Sequence, residues 1–232
     1  MFGRRILLTL TALALTSTGF AAEAPPPVGK PKDYQLPTKT TFALDNGMQV
    51  TLVPFGSVPK VSIVLNIRSG NLNEGEDTWL ADLAGELMTE GAADMDSAML
   101  AQTAAELGGG IGVSTGAEMT SISMGSLSDQ APAAIALVAA VAQQPTFPEA
   151  ELDRIRQDFL RNLSIARTQP NGQAAMAFYP RMYGDHAFSR VYPSNEQLLG
   201  YTIDDVKAYY QNNFGARRSH LYVTGQFDEG LV

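Results

Sequence analysis

The segment from Glu149 to Arg167 constrains this chain more than any other. Its apolar residues Leu152, Ile155, Phe159, Leu163 and Ala166 recur at helical spacing, so they share one face of a single long helix. At 1.5 Å per residue that helix runs close to 30 Å. A stripe of that length demands an apolar layer of comparable span opposite it. Pro145 and Pro148 stop whatever precedes it.

The rest of the chain supplies such a layer. Phe42 and Leu44 alternate with small or polar residues, Asp45-Asn46-Gly47 is a turn signal, and Met48, Val50 and Leu52 resume the alternation. Val61 to Ile67 is rich in β-branched residues and reads as a buried strand, followed by a polar loop from Ser69 to Thr78. Leu80, Leu83, Ala84 and Leu87 predict a helix over Trp79–Met88. A second helix is predicted from Asp96 to Leu107, capped by Asp96 or Ser97 and ended by Gly108-Gly109-Gly110. Ile111–Thr115 and Thr120–Ser126 read as strands, and Gln130–Gln143 as an Ala-rich helix. Helices are further expected over Gly172–Tyr183 and from Thr202 to Tyr210. Ser219–Gly225 reads as a closing strand. The order of elements predicts an α+β fold, a mostly antiparallel sheet packed against helices. Met176, Phe178, Tyr179, Met182 and Tyr183 are assigned to the core by their spacing, and Tyr209 and Tyr210 to packing.

Residues 1–22 stand apart. Arg4 and Arg5 precede an apolar run from Ile6 to Phe20, and Ala21, Ala22 and Ala24 offer small residues for cleavage, the pattern of a secretory signal peptide. The run is too short and too rich in Thr and Ser for a membrane span. Without cysteine, no lipid is attached at the cleavage region and no disulfide framework exists, which fits export to a bacterial periplasm. Residues 23–39, with five prolines, read as an extended tether, and residues 40–232 as one domain that stops where a further helix would open, before a second domain of the same kind. Without Arg4 and Arg5, 14 basic residues face 24 acidic ones, a net charge of −10. That excludes nucleic acid and, after signal cleavage, an anionic membrane surface as partners.

Several short segments, taken in order, resemble one family. Leu44-Asp45-Asn46-Gly47-Met48-Gln49-Val50 resembles its LDNGLxV opening, and Arg68-Ser69-Gly70 its R-x-G after the following strand. Leu107-Gly108-Gly109 with Thr115 resembles its turn into an edge strand. Pro145-Thr146-Phe147 ahead of Glu151-Leu152-Asp153-Arg154 resembles the start of its long helix. Tyr183-Gly184-Asp185-His186 and Val223-Thr224-Gly225 resemble its closing loop and strand. On these residues the chain resembles the N-terminal domain of M16 (pitrilysin/insulinase-like) peptidases, which implies the LuxS/M16 peptidase-like (MPP-like) fold.

The family's inverted zinc motif, H-x-x-E-H, places two His one helical turn apart around a Glu that polarises water. In the resembling stretch, Asp82 and Glu86 stand where the family has its two His, and Gly85 where it has the Glu. Asn162 stands at the position of the third ligand, a Glu on the long helix. None of the four is the family's residue, so the resemblance implies no catalytic residue, no metal and no cofactor in this domain, with zinc expected only in a partner subunit. The strand after the glycine turn pairs with substrate backbone in the family. Here it is Gly112, Val113, Ser114, Thr115, Gly116 and Ala117, a candidate edge for extended peptides.

The reading that follows is a non-catalytic subunit or half, paired in the periplasm with a zinc-bearing M16 homologue. Two alternatives stay open: a peptidase with a metal site rebuilt from Asp82, Glu86 and Asn162, and a scaffold that binds no peptide. Calcium or magnesium on Asp82 and Glu86 would need more oxygens than the three residues offer. An isolated domain of this kind exposes faces meant for a missing half, which favours self-association. Gly108–Gly112 is no phosphate loop, since no Gly-Lys-Ser/Thr follows. No G-x-S-x-G elbow occurs, and His186 and His220 lack any ligand partner at helical spacing.

Overall fold

A computed structural model describes residues 29–31, 33 and 35–230. The expected signal peptide and most of the expected tether fall outside them. The chain divides into a unit ending at Leu36 and one beginning at Pro37. The described residues of the first have no regular secondary structure. The fold that follows is that of the second.

Its centre is a six-stranded sheet. The strands are β1 (Thr40–Ala43), β2 (Gln49–Pro54), β3 (Lys60–Ile67), β6 (Ile111–Thr115), β7 (Thr120–Leu127) and β8 (Ser219–Gly225). Between β3 and β6, β4 (Gly91–Ala92) and β5 (Met95–Asp96) form a separate small ladder. The spatial order is β1-β2-β8-β3-β7-β6, so β1 and β6 are the two edges. Every neighbouring pair is antiparallel except β2 and β8, where the last strand enters parallel beside the first hairpin. The fold is therefore α+β with a mostly antiparallel sheet, as the element order predicts.

Period-2 alternation decides which face is covered. Val61, Ile63, Leu65 and Ile67 of β3 are buried, as are Ile122 and Met124 of β7 and Leu221 and Val223 of β8. The intervening positions of β7 (Ser121, Ser123, Gly125, Leu127) are half-buried or exposed, and Ser121 donates to Asn66 across the strands at 2.7 Å. The covered face packs against helices. The unit's helices are α1 (Leu80–Leu87), α2 (Ser97–Glu106), α3 (Ala131–Gln143), α4 (Glu149–Thr168), α5 (Pro170–Tyr183), α6 (Asn195–Gly200) and α7 (Ile203–Asn213), of which α1, α2 and α3 meet the strands. Burying Ile63, Ile67, Leu83 or Leu163 contributes about 2 kcal/mol each. No helix among the described residues is long and apolar enough to cross a membrane.

Local chemistry explains the helix ends. Asp96 caps α2 by accepting from the Met99 amide at 2.8 Å. Thr202 and Asp205 form a reciprocal capping box at α7. Gly108, with φ +94°, ends α2 in the left-handed region.

Two parts depart from the expectations. The first is α6, a short helix, and the β4/β5 ladder, neither of which the periodicity indicates. The second is the outer side of α5. Met176, Phe178, Tyr179, Met182 and Tyr183 are not core: Phe178 is 56% exposed and Met182 63%. Spacing identifies an apolar helix face, but among the described residues these side chains are left exposed. Tyr209, by contrast, is buried, and its hydroxyl bonds Ser69 Oγ at 2.9 Å.

Candidate functional site on the first helix and the edge strand

Helix α1 begins abruptly. Its N-cap is Trp79, held at φ +70°, a left-handed conformation that a bulky residue adopts only under constraint. The constraint is Glu74. Its buried carboxylate accepts from the Trp79 amide at 2.9 Å, from the Ala81 amide at 2.9 Å and from Asn71 Nδ2 at 3.3 Å. The negative charge sits at the positive end of the helix dipole. Burial nevertheless pushes the Glu74 carboxyl up to about 7, against the lowering effect of those three donors.

Asp82 follows in the first turn. Asn71 Nδ2 donates to it at 2.6 Å, so one amide ties both carboxylates together. Burial raises the Asp82 carboxyl, and the Asn71 hydrogen bond opposes the rise. Glu86, one turn on, is exposed.

The space between them is closed from the sheet side. Gly85 is buried, and a Cβ placed on it would meet Thr115 Oγ1 at 2.6 Å and Val113 Cγ1 at 3.5 Å. Thr115 Oγ1 in turn donates to the Ala81 carbonyl of α1 at 3.4 Å. Helix and edge strand thus touch where a glycine allows it. The result is a shallow depression of about 200 Å³, lined by Asp82, Gly85, Glu86, Val113, Ser114, Thr115 and Phe159. Asn162 does not line it and is exposed. The residue of α4 that faces the depression is Phe159, which packs edge-to-face on Trp79 with ring centroids 5.9 Å apart.

The edge strand is shorter than the candidate stretch. Gly112, Val113, Ser114 and Thr115 lie on β6, at the open end of the sheet. Gly116 and Ala117 belong to the turn, and their carbonyls already accept from the Asn71 amide at 3.1 Å and the Leu72 amide at 2.9 Å. Gly70 makes this approach feasible, since a Cβ there would lie 2.1 Å from the Gly116 carbonyl oxygen. That contact gives the Arg68-Ser69-Gly70 motif a physical meaning. The Gly116 amide donates to the Met119 carbonyl, and alternation along the antiparallel ladder then turns the Val113 and Thr115 backbone groups outward.

Among the described residues, no group of three or more His, Cys, Asp or Glu is arranged to hold a metal ion. Zinc at the depression would find two carboxylates, one of them bound to Asn71 and the other exposed, beside a phenyl ring and a glycine. That donor set does not fit the ion. Sequence reasoning passed over Glu74, Asn71 and Phe159. Glu74 carries a faint signal, an acidic residue ahead of a helix start. The other two become visible only when the loop and α4 are folded against α1.

A mostly antiparallel sheet with a free edge strand, and a helix laid against that strand, defines an α+β domain. Residues 54–190 match the insulinase family (peptidase family M16), more than half of the sequence, and the chain belongs to that family. It is 22% identical over 191 residues to an uncharacterized zinc protease of Rickettsia felis, the match covering 82% of this chain and 46% of that protein. The chain thus spans about half the length of the curated relatives it matches. The peptidase M16 inactive domain from Pseudomonas fluorescens is similar at a TM-score of 0.77 and 25% identity, over 83% of this chain and 48% of that one. The periplasmic protease PqqL from Escherichia coli shares the fold, with a TM-score of 0.70 at 17% identity, over 83% of this chain and 22% of that one.

Proposed function

We propose that this domain is a non-catalytic M16 subunit or half, which works in the periplasm opposite a zinc-bearing homologue and offers β6 to an extended peptide. One observation carries the reading. At the position where the family has its general base, a glycine packs against Thr115, leaving no side chain to polarise water and no room for one. The edge strand beside it keeps outward backbone groups, and a strand edge holds a peptide by main-chain hydrogen bonds without any catalyst. The likeness to an inactive M16 domain supports the reading.

A peptidase with a rebuilt metal site is disfavoured by the same geometry, since Asn162 lies outside the depression and Asn71 occupies Asp82. The test is zinc content and peptidase activity of the full-length protein, alone and mixed with an H-x-x-E-H homologue from the same host. The expected result is substoichiometric zinc and no turnover alone, with faster turnover in the mixture. Stoichiometric zinc with activity in the isolated protein would overturn the proposal.

A further inference from the structure

A second pocket, of about 400 Å³, opens on the other side of Glu74, between α1 and the C-terminal part of α5. Trp79, Tyr179, Tyr183 and Phe188 contribute four aromatic rings to its wall. Three of these rings brace one another. Tyr179 stacks on Tyr183 with centroids 5.8 Å apart, and Phe188 meets Tyr183 edge-on at 5.4 Å. Trp79 is fixed from behind by Phe159 and by Tyr192 at 5.7 Å. Tyr179, Tyr183 and Phe188 stay partly open to solvent.

Glu74 is the carboxylate in this wall. Its three hydrogen-bond donors are all neutral, and none of the ion pairs among the described residues includes it. Arg190 also lines the pocket, but its guanidinium is committed to the rim, donating to the Gly75 carbonyl at 2.5 Å and to Glu76 at 2.6 Å. A buried carboxylate without a counter-charge is expensive, and Asp82 nearby adds to the cost. Rings clustered around such a group attract a cation through their negative faces.

We propose that this pocket takes the cationic side chain of a lysine or arginine from a bound polypeptide, with the Glu74 carboxylate as counter-ion and the four rings as its cage. An alkyl stem fills the apolar wall while the charged end meets Glu74, the division such side chains make on amphipathic surfaces. Ala117, two residues past the end of β6, lines the same pocket, so the site lies off the end of the edge strand. The inference does not depend on peptide pairing at β6.

Trp79 is the single tryptophan of the chain, so all tryptophan fluorescence comes from the wall of this pocket. The protein is titrated at pH 8.5, above the raised Glu74 carboxyl, with n-butylammonium, which mimics a lysine side chain, and with neutral n-butanol. Free N-acetyltryptophanamide corrects for quenching in solution. The expected result is a saturable change with n-butylammonium and affinity weaker for butanol by at least roughly tenfold. Glu74→Gln is expected to abolish the preference. Tyr183→Leu, on the partly exposed side and away from the α1 cap, is expected to weaken binding several-fold in a protein that folds normally. A lysine-containing peptide should bind more tightly than its norleucine counterpart. Equal responses to the two small probes, no saturation, unchanged affinity in Tyr183→Leu, or equal affinity for the two peptides would each overturn the proposal. Failure of β6 pairing alone would leave the n-butylammonium response intact.

Discussion

Two residues, one ahead of α1 and one in its last turn, set the local energetics, and each makes a prediction. Glu74 is buried with its carboxyl raised to about 7 from an ordinary value of 4.5. Between these values the folded chain holds the proton more strongly than the unfolded one, so stability falls as pH rises through that window and levels off above about 7. Asp82, also raised by burial, adds in the same direction, and Tyr201 and Tyr209, whose hydroxyls sense Glu74, titrate far above it. The Glu74 contribution is about 3 kcal/mol between pH 4.5 and 7. Urea unfolding at pH 5 and pH 8 should show it in the wild type, and Glu74→Gln should remove most of the difference. Gly85 is the second residue. Alanine in a helix interior ordinarily gains about 1 kcal/mol over glycine. Here the new methyl meets Thr115 Oγ1, and a β-branched side chain turns away only by changing a stiff χ1 and losing its bond to Ala81. Gly85→Ala should therefore destabilise by about 1 kcal/mol, yet stabilise by a similar amount when Thr115 is alanine. A double-mutant cycle by denaturant unfolding measures this, and additive effects would deny the contact.

At the scale of elements, β6 carries the functional argument. Its Val113 backbone points away from β7, so proline there removes an outward amide without breaking the ladder, and edge strands tolerate it. Val113→Pro should weaken peptide binding at least roughly tenfold and lower the unfolding midpoint no more than Val113→Ala, which loses the same packing against the core. Ser114→Pro, whose amide pairs with Ser121, should lower the midpoint well beyond Ser114→Ala. Fluorescence anisotropy with a labelled peptide, beside thermal unfolding, separates the two effects. How much of this was legible in the sequence follows from element length. The strands β3, β7 and β8 and the helices α1, α2 and α4 repeat their period often enough to be read, and their ends lie within a residue or two of the expected positions. Helix α6 spans barely more than a turn, too short for periodicity, although Ser194 three residues before Gln197 has the capping-box spacing. The β4/β5 ladder has two residues a side and turns through Ala93 at φ +53°, which no alternation foreshadows. The candidate site divides the same way. Asp82, Gly85 and Glu86 share a helix and are found together, whereas Asn162 required a register between distant segments. The fold brings Phe159, one turn earlier on α4, to the depression instead.

At the scale of the whole molecule, the outer side of α5 is the unresolved demand of the sequence. Phe178 and Met182, one turn apart, recur at the spacing of a buried helix face, and both are exposed. Sequence pattern records that a face is apolar, and says nothing of whether its cover belongs to the same chain. Pro170 and Gly184 bound the helix, and among the described residues its aromatic neighbours are its own Tyr179 and Tyr183, with His186 and Phe188 in the turn beyond. Exposed apolar surface of this kind is covered by a partner or by another copy. Each side chain buried in such a contact contributes about 2 kcal/mol, so two per protomer, four across a symmetric pair, are enough for a weak, concentration-dependent association. Sedimentation velocity across a range of micromolar concentrations should show this association. Phe178→Asp with Met182→Asp should shift the distribution to monomer without lowering the unfolding midpoint, because neither side chain supports the core. Association that survives the double substitution would place the contact elsewhere, with the β1 edge and its exposed Phe42 and Leu44 as the next surface to alter. The same double variant, mixed with the proposed zinc-bearing homologue, tells whether α5 also faces such a partner: turnover that the wild type stimulates and the variant does not would mean one face serves both contacts.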